Sequence, residues 1–180
     1  GWFLGYSDVS AILLARLSAG FGGGVHGPML NSLAYEPEWS QERLRAILFG
    51  EPIPDLLGEP WAKGTAVGPL VACNLTVGSH LLGSRYIPNL KGAILVIEDI
   101  GEAPYRIDRM LTHWRLSGKF HELAGLGFGD FKNCDETNKG ENDHREIKLE
   151  QILKERSLDL NIPIVGRLPI GHCCGNAALP

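Results

Sequence analysis

The run of apolar and polar positions divides this chain into short strands and amphipathic helices, and it begins abruptly. Trp2-Phe3-Leu4 is an apolar run suited to a strand over 2–5, buried on both faces as in a parallel sheet covered by helices. The apolar stretch from Val9 to Ala19 predicts a helix over 8–19, stopped by the glycine run Gly22 to Gly24, before a short extended segment from Val25 to Leu30. One strand–helix–strand step is too little sheet to cover itself, so sheet partners are expected from an upstream segment or another chain. A second helix is predicted over Pro37 to Phe49. Pro37 suits a first helical position, Leu44, Ile47 and Leu48 form an i, i+3, i+4 stripe, and Gly50 can close the end.

Residues 51–69 are rich in proline and glycine and read as a linker. Beyond them a second α/β unit is expected. Val67 to Val71 is extended, Asn74 to Leu82 helical, and Ala93-Ile94-Leu95-Val96-Ile97 gives the strongest strand signal of the chain. Pro104 opens an amphipathic helix to Leu116 with Ile107, Met110, Leu111 and Trp114 on one face and Gly118 beyond its end. A strand over Leu123 to Phe128 follows. Residues 132–146 are almost wholly polar, as in a solvated loop or a disordered excursion, and a helix over 146–156 and a strand over Ile162 to Val165 complete the pattern. The class is α/β: the end of an N-terminal parallel-sheet domain (1–50), a linker (51–69), and a C-terminal α/β domain (70–180) with a small sheet or barrel.

Composition changes this picture mainly by exclusion. The 180 residues are 44% apolar and 21% charged with a net charge of −4, which leaves no basic face for nucleic acid. No apolar run approaches a membrane span and no basic n-region with an apolar h-region opens the chain, as in a cytoplasmic enzyme or in a chain whose true N-terminus is absent. Cys73, Cys134, Cys173 and Cys174 show no C-x-x-C spacing, and two are adjacent. They read as free thiols in a reducing compartment rather than a disulfide framework or a zinc site.

The candidate chemistry sits at the ends of the expected strands. Gly5-Tyr6-Ser7-Asp8 lies between the first strand and the first helix. A serine there either caps the helix or stands exposed as a nucleophile, with the N–H of the next residue, Asp8, aimed at a developing oxyanion. Strand 93–97 delivers Glu98 and Asp99 to its C-terminal end. Acidic residues suit a helix N-terminus, which accounts for Glu102, but a carboxylate as tight against a buried strand as Glu98 needs a specific partner. His172 follows the last strand on a loop. The other histidines, His26, His80, His113, His121 and His144, read as ordinary surface or satisfied core residues. Ser7, Glu98 and His172 occur in the chain order nucleophile, acid, base.

Five segments sharpen that pattern: Gly-Tyr-Ser-Asp at 5–8, His-Gly-Pro-Met at 26–29, Asn-Leu at 74–75, the string from Glu98 to Leu111, and Gly171-His172. In this order the chain resembles the LD-carboxypeptidase family of serine peptidases, which includes the microcin C immunity peptidases, over nearly its whole length. The resemblance implies Ser7 as nucleophile, Glu98 as triad acid, His172 as general base and Asp8 as one oxyanion donor, with Asn74 and Arg109 as candidate substrate-binding residues. It implies a cytoplasmic homodimer that cuts the amide between an L-configured centre and a terminal D-amino acid in wall recycling, without metal or organic cofactor. It also implies that most of the family's N-terminal domain, with a Gly-rich second oxyanion donor, and the family's final strand lie outside this chain. The family's usual Gly-Gly-Asn reads Ala72-Cys73-Asn74 here. Two other functions stay open on these residues: an immunity-type peptidase acting on toxic peptidyl-nucleotides, for which Trp39, Trp61, Trp114 or a tyrosine would stack a base, and a non-catalytic piece that needs an N-terminal partner.

Overall fold

A computed structural model describes residues 1–135 and 148–180, so most of the polar stretch at 132–146, His144 included, lies outside the described residues. The first unit contains β1 (Phe3–Gly5), α1 (Ser10–Ser18) and β2 (Gly24–His26), with a 3-10 turn over Ser7–Val9 leading into α1. β1 and β2 pair in parallel, Leu4 beside Val25. Helix α1 stops earlier than expected: Gly20 at φ +80° donates to Leu17 and Phe21 donates to Arg16, a left-handed closure that leaves Gly24 free to begin β2. The expectation of a first strand buried on both faces also fails. Trp2 is 51% exposed and Phe3 and Leu4 are half-buried, so the described residues do not cover β1 on both faces.

Helix α2 (Glu38–Phe49) follows, with Pro37 as its extended N-cap residue and Gly50 in the left-handed region at its end. It buries Leu44 and Ile47 against Val25 and Ala178. The segment read as a linker carries an edge strand, β3 (Glu59–Ala62). The larger sheet also contains β4 (Leu70–Asn74), β5 (Ile94–Ile100), β6 (Gly125–Lys132) and β7 (Ile164–Gly166), in the order β3-β7-β6-β5-β4. All of its pairings are parallel except β3 with β7. The helices α3 (Leu75–Leu81), α4 (Pro104–Leu116) and α5 (Leu149–Glu155) supply the cover.

The unbroken apolar run in β5 reflects burial on both faces. Leu95 and Ile97 join the main core with Ile107, Leu111, Trp114 and Phe120, whereas Val96 joins a second cluster with Ile170, Ala177 and Leu179. Because side chains alternate along a strand, Glu98 continues the Val96 face and Asp99 the Ile97 face. β5 runs three residues further than its apolar pattern indicates, since β6 keeps pairing with it as far as Lys132. Opposite Glu98, β6 spends two residues against one, Gly129 and Asp130 between the Ile97–Phe128 and Asp99–Phe131 pairs, and this bulge opens the ladder there. The segment after β7 enters there: Asp130 N–H donates to Ile170 and Leu168 N–H to Phe128. That entry brings His172 onto the end of β5.

Candidate active site

Ser7 lies just past β1 at φ +58°, a left-handed conformation that is uncommon for any residue with a side chain. The strand must turn sharply into the helix here, and Gly5 makes the turn possible. A Cβ at Gly5 would fall 2.5 Å from a Val9 methyl carbon, so the strand and the first turn approach too closely for any side chain. Strain of this kind is what lifts a serine hydroxyl clear of its own helix in a sharp strand-to-helix turn. Ser7 begins that turn and Asp8 follows, its N–H among the first helical amides.

Glu98 is completely buried. Its Oε2 lies 2.7 Å from His172 Nδ1, with the imidazole mostly covered. When Nδ1 carries the proton that serves this bond, Nε2 keeps its lone pair and becomes the basic nitrogen. Burial pushes the Glu98 carboxyl up, but the hydrogen bond to His172 and the attraction of His26 outweigh it and hold the group below its ordinary value. Two glycines clear the space. A Cβ at Gly171, where φ is +107°, would sit 2.5 Å from Glu98 Oε2, and one at Gly129 would sit 2.6 Å from the Ile170 carbonyl oxygen.

The serine turn and the histidine loop meet through Tyr6. Its ring stands edge-on to His172 with centroids 4.8 Å apart, and 6.3 Å from His26. The structure thus gathers the Ser7 turn, Glu98 and His172 from positions up to 165 residues apart in the chain. The histidine loop is fixed from behind. Asn176 Oδ1 accepts from Gly171 N–H at 2.9 Å, and Glu36 Oε2 accepts from Gly175 N–H and Asn176 N–H at 3.0 Å each.

Asn74 and Arg109 are placed differently. Asn74 is buried with both ends of its amide engaged: Oδ1 caps α3 by accepting from Val77 N–H, and Nδ2 donates to Asp99 Oδ1. Its backbone N–H donates to Ser10 Oγ at 3.0 Å, which ties α1 to the larger sheet. Asp99 also accepts from Thr76 N–H, Thr76 Oγ1 and Ile100 N–H, yet burial keeps its carboxyl above the ordinary range. Arg109 is exposed on α4, its guanidinium 5.0 Å from the Tyr105 ring centroid, and the structure does not draw it into the histidine pair.

Three further residues near the site are not singled out for chemistry by the sequence, although His26 opens the His-Gly-Pro-Met segment. His26, 3% exposed, sets Nε2 3.8 Å from Glu98 Oε1. Asp130 stands on the β6 bulge, where burial and the nearby Glu98 raise its carboxyl while Lys132 partly opposes them. Cys173, next to His172, is pushed up to about 11 chiefly by burial and remains a neutral thiol at neutral pH. Isolated polar residues of this sort give no period or spacing by which to find them.

The fold is α/β with a mostly parallel sheet that carries a buried Glu–His pair at one strand end, and the comparisons give the family. The LD-carboxypeptidase C-terminal domain matches residues 67–180, and the chain belongs to the LD-carboxypeptidase family. A Synechocystis sp. protein named as a carboxypeptidase is 47% identical over 179 residues, 99% of this chain and 58% of that protein. The crystal structure of muramoyltetrapeptide carboxypeptidase from Oxalobacter formigenes superposes with a TM-score of 0.79 at 27% identity, over 99% of this chain and 62% of that one. The microcin C7 self-immunity protein MccF, in an inactive mutant without ligand, shares the fold alone, with a TM-score of 0.80 at 19% identity over the same shares. The chain thus spans about three fifths of the length of these proteins.

Proposed function

We propose that this chain carries the nucleophile, acid and base of a serine peptidase that cleaves an L,D-amide and releases the terminal D-alanine of murein tetrapeptide. The observation that carries the reading is the buried 2.7 Å contact between Glu98 and His172, set against the turn that holds Ser7 at φ +58°. The muramoyltetrapeptide carboxypeptidase among the similar structures supports the substrate.

His172 Nε2 takes the Ser7 proton as the hydroxyl oxygen attacks the scissile carbonyl, and Glu98 stabilises the imidazolium that forms. The Asp8 N–H donates to the tetrahedral oxyanion. A second donor comes from outside these 180 residues, and one such donor is worth about 3–4 kcal/mol in the transition state. Collapse of the intermediate breaks the C–N bond while His172 returns the proton to the departing D-alanine amine. His172 then deprotonates a water that attacks the acyl ester, and Ser7 is regenerated.

Ser7→Ala in the full-length protein should abolish D-alanine release from murein tetrapeptide, measured by chromatography of the products. Full retained activity would remove Ser7 as the nucleophile. One observation favours the second reading, an immunity-type peptidase acting on peptidyl-nucleotides. Trp39 is 43% exposed and lies over Gly175, three residues past His172, where an aromatic base could stack. Trp114 is fully buried in the core and Trp61 packs on Phe128, so neither serves that purpose. Assay of both substrates on one preparation decides between them.

A further inference from the structure

The Glu98 carboxylate has two oxygens in very different positions. Oε2 meets His172 Nδ1 at 2.7 Å, while Oε1 is buried with no hydrogen-bond partner among the described residues. A buried, unpartnered carboxylate oxygen is costly, and its removal from water has to be offset by a nearby positive dipole. The group placed to do this is His26, whose Nε2 is 3.8 Å from Oε1. Both ring nitrogens of His26 are themselves buried without a partner among the described residues.

The position of His26 is fixed by the backbone. β2 pairs with β1 on one side, and on the other His26 N–H donates to Leu179 at 2.9 Å while Leu179 N–H donates to His26 at 2.8 Å. The Tyr6 ring stands edge-on to the imidazole. With its backbone paired on both edges and its ring edge-on to Tyr6, His26 faces a bare carboxylate oxygen and is suited to orient that carboxylate.

We propose that His26 is a positioning residue of the hydrolysis: its Nε2–H faces Glu98 Oε1 and holds the carboxylate so that Oε2 stays aimed at His172. The separation of 3.8 Å is beyond a formed hydrogen bond, which needs about 3 Å. In the resting arrangement His26 acts as an oriented dipole, and the contact tightens as charge develops on His172. His26 touches no substrate atom and transfers no proton in the cycle. The inference rests on the reading of Glu98 and His172 as acid and base, so that reading needs its own control.

The test compares His26→Gln and His26→Phe in the full-length protein on murein tetrapeptide, with Glu98→Gln and His172→Ala assayed beside them. The glutamine amide keeps an N–H donor and the phenylalanine does not. His26→Phe should lose about tenfold or more in kcat with KM unchanged, and His26→Gln should recover most of that loss. Wild-type kcat in His26→Phe overturns the proposal. So does an equal loss in both variants, which would mean that the site needs only the shape of the ring. Retained activity in Glu98→Gln and His172→Ala instead removes the underlying acid–base reading. If His26→Phe does not fold, imidazole nitrogen NMR of the wild-type protein tests the same point. A proton on Nε2 of His26 supports the proposal and a proton on Nδ1 alone overturns it.

Discussion

Glu98 shows how a single residue can combine a structural cost with a chemical use. Its carboxyl is held below its ordinary value in the fold, so the folded state binds the proton less readily than the unfolded chain. The stability this contributes is complete above the ordinary glutamate range, near pH 4.3, and is lost as pH falls through the lowered folded value. Asp99 has the opposite sign. Burial raises its folded value, so its contribution favours the folded state at low pH and is lost as pH rises through that raised value. Comparison of wild type with Glu98→Gln isolates the first effect. The stability difference from urea unfolding should shrink as pH is lowered below about 4, and kcat at neutral pH should fall about 10³- to 10⁴-fold, as when the acid of a catalytic triad is neutralised. A stability difference that stays constant with pH would contradict the assignment of the shift to the native contact.

At the scale of elements, the short helix α3 depends on side chains outside its own seven residues. Asn74 caps it, and Asp99 accepts from Thr76 N–H and Oγ1 in its first turn. Isolated helices this short are not stable in water, so α3 is held by these bonds and by Leu75 in the core. Asn74→Ala removes the cap and leaves Asp99 with one donor fewer. The expected cost is about 1–2 kcal/mol, seen as a lower Tm, with KM for the tetrapeptide unchanged. A raised KM at unchanged Tm would instead make Asn74 a substrate contact. The helix over Pro104 to Leu116 was fully legible in the sequence because its apolar stripe, first-turn proline and following glycine agree. The strand at 59–62 was not. It is an exposed edge strand of four residues with Pro60 inside it, and it exists because β7 offers a free edge.

For the molecule as a whole, the C-terminal tail joins the two units. Ser40 Oγ donates to the Asn176 carbonyl and Arg43 Nε to the Ala178 carbonyl, while Leu179 adds to β2 beside His26. A Cβ at Gly27 would meet Ala178 Cα at 2.9 Å, so the tail lies flat against the His-Gly-Pro segment. The histidine loop and the histidine strand are therefore braced by one stretch of chain. Arg43→Met should cost about 1.5–3 kcal/mol through the lost charge-assisted bonds and speed amide exchange at His26 and Leu179 together. Faster exchange at only one of the two would show that the tail and β2 open separately. Among the described residues no helix is long and apolar enough to cross a membrane.

The sequence by itself determined the α/β class, the position of most helices and strands, and the order of Ser7, Glu98 and His172, because periodicity, capping residues and the Gly-x-Ser turn are local signals. It left Glu98 as a carboxylate in need of a partner and His26 as an unremarkable histidine. Only the tertiary structure decided that both imidazoles flank that carboxylate, that Asn74 and Asp99 serve the start of α3, and that a bulge in β6 admits the histidine loop. Each of those facts depends on which face of a strand meets which distant segment. That choice is made by burial of the whole set of apolar faces at once, and no stretch of neighbouring residues records it.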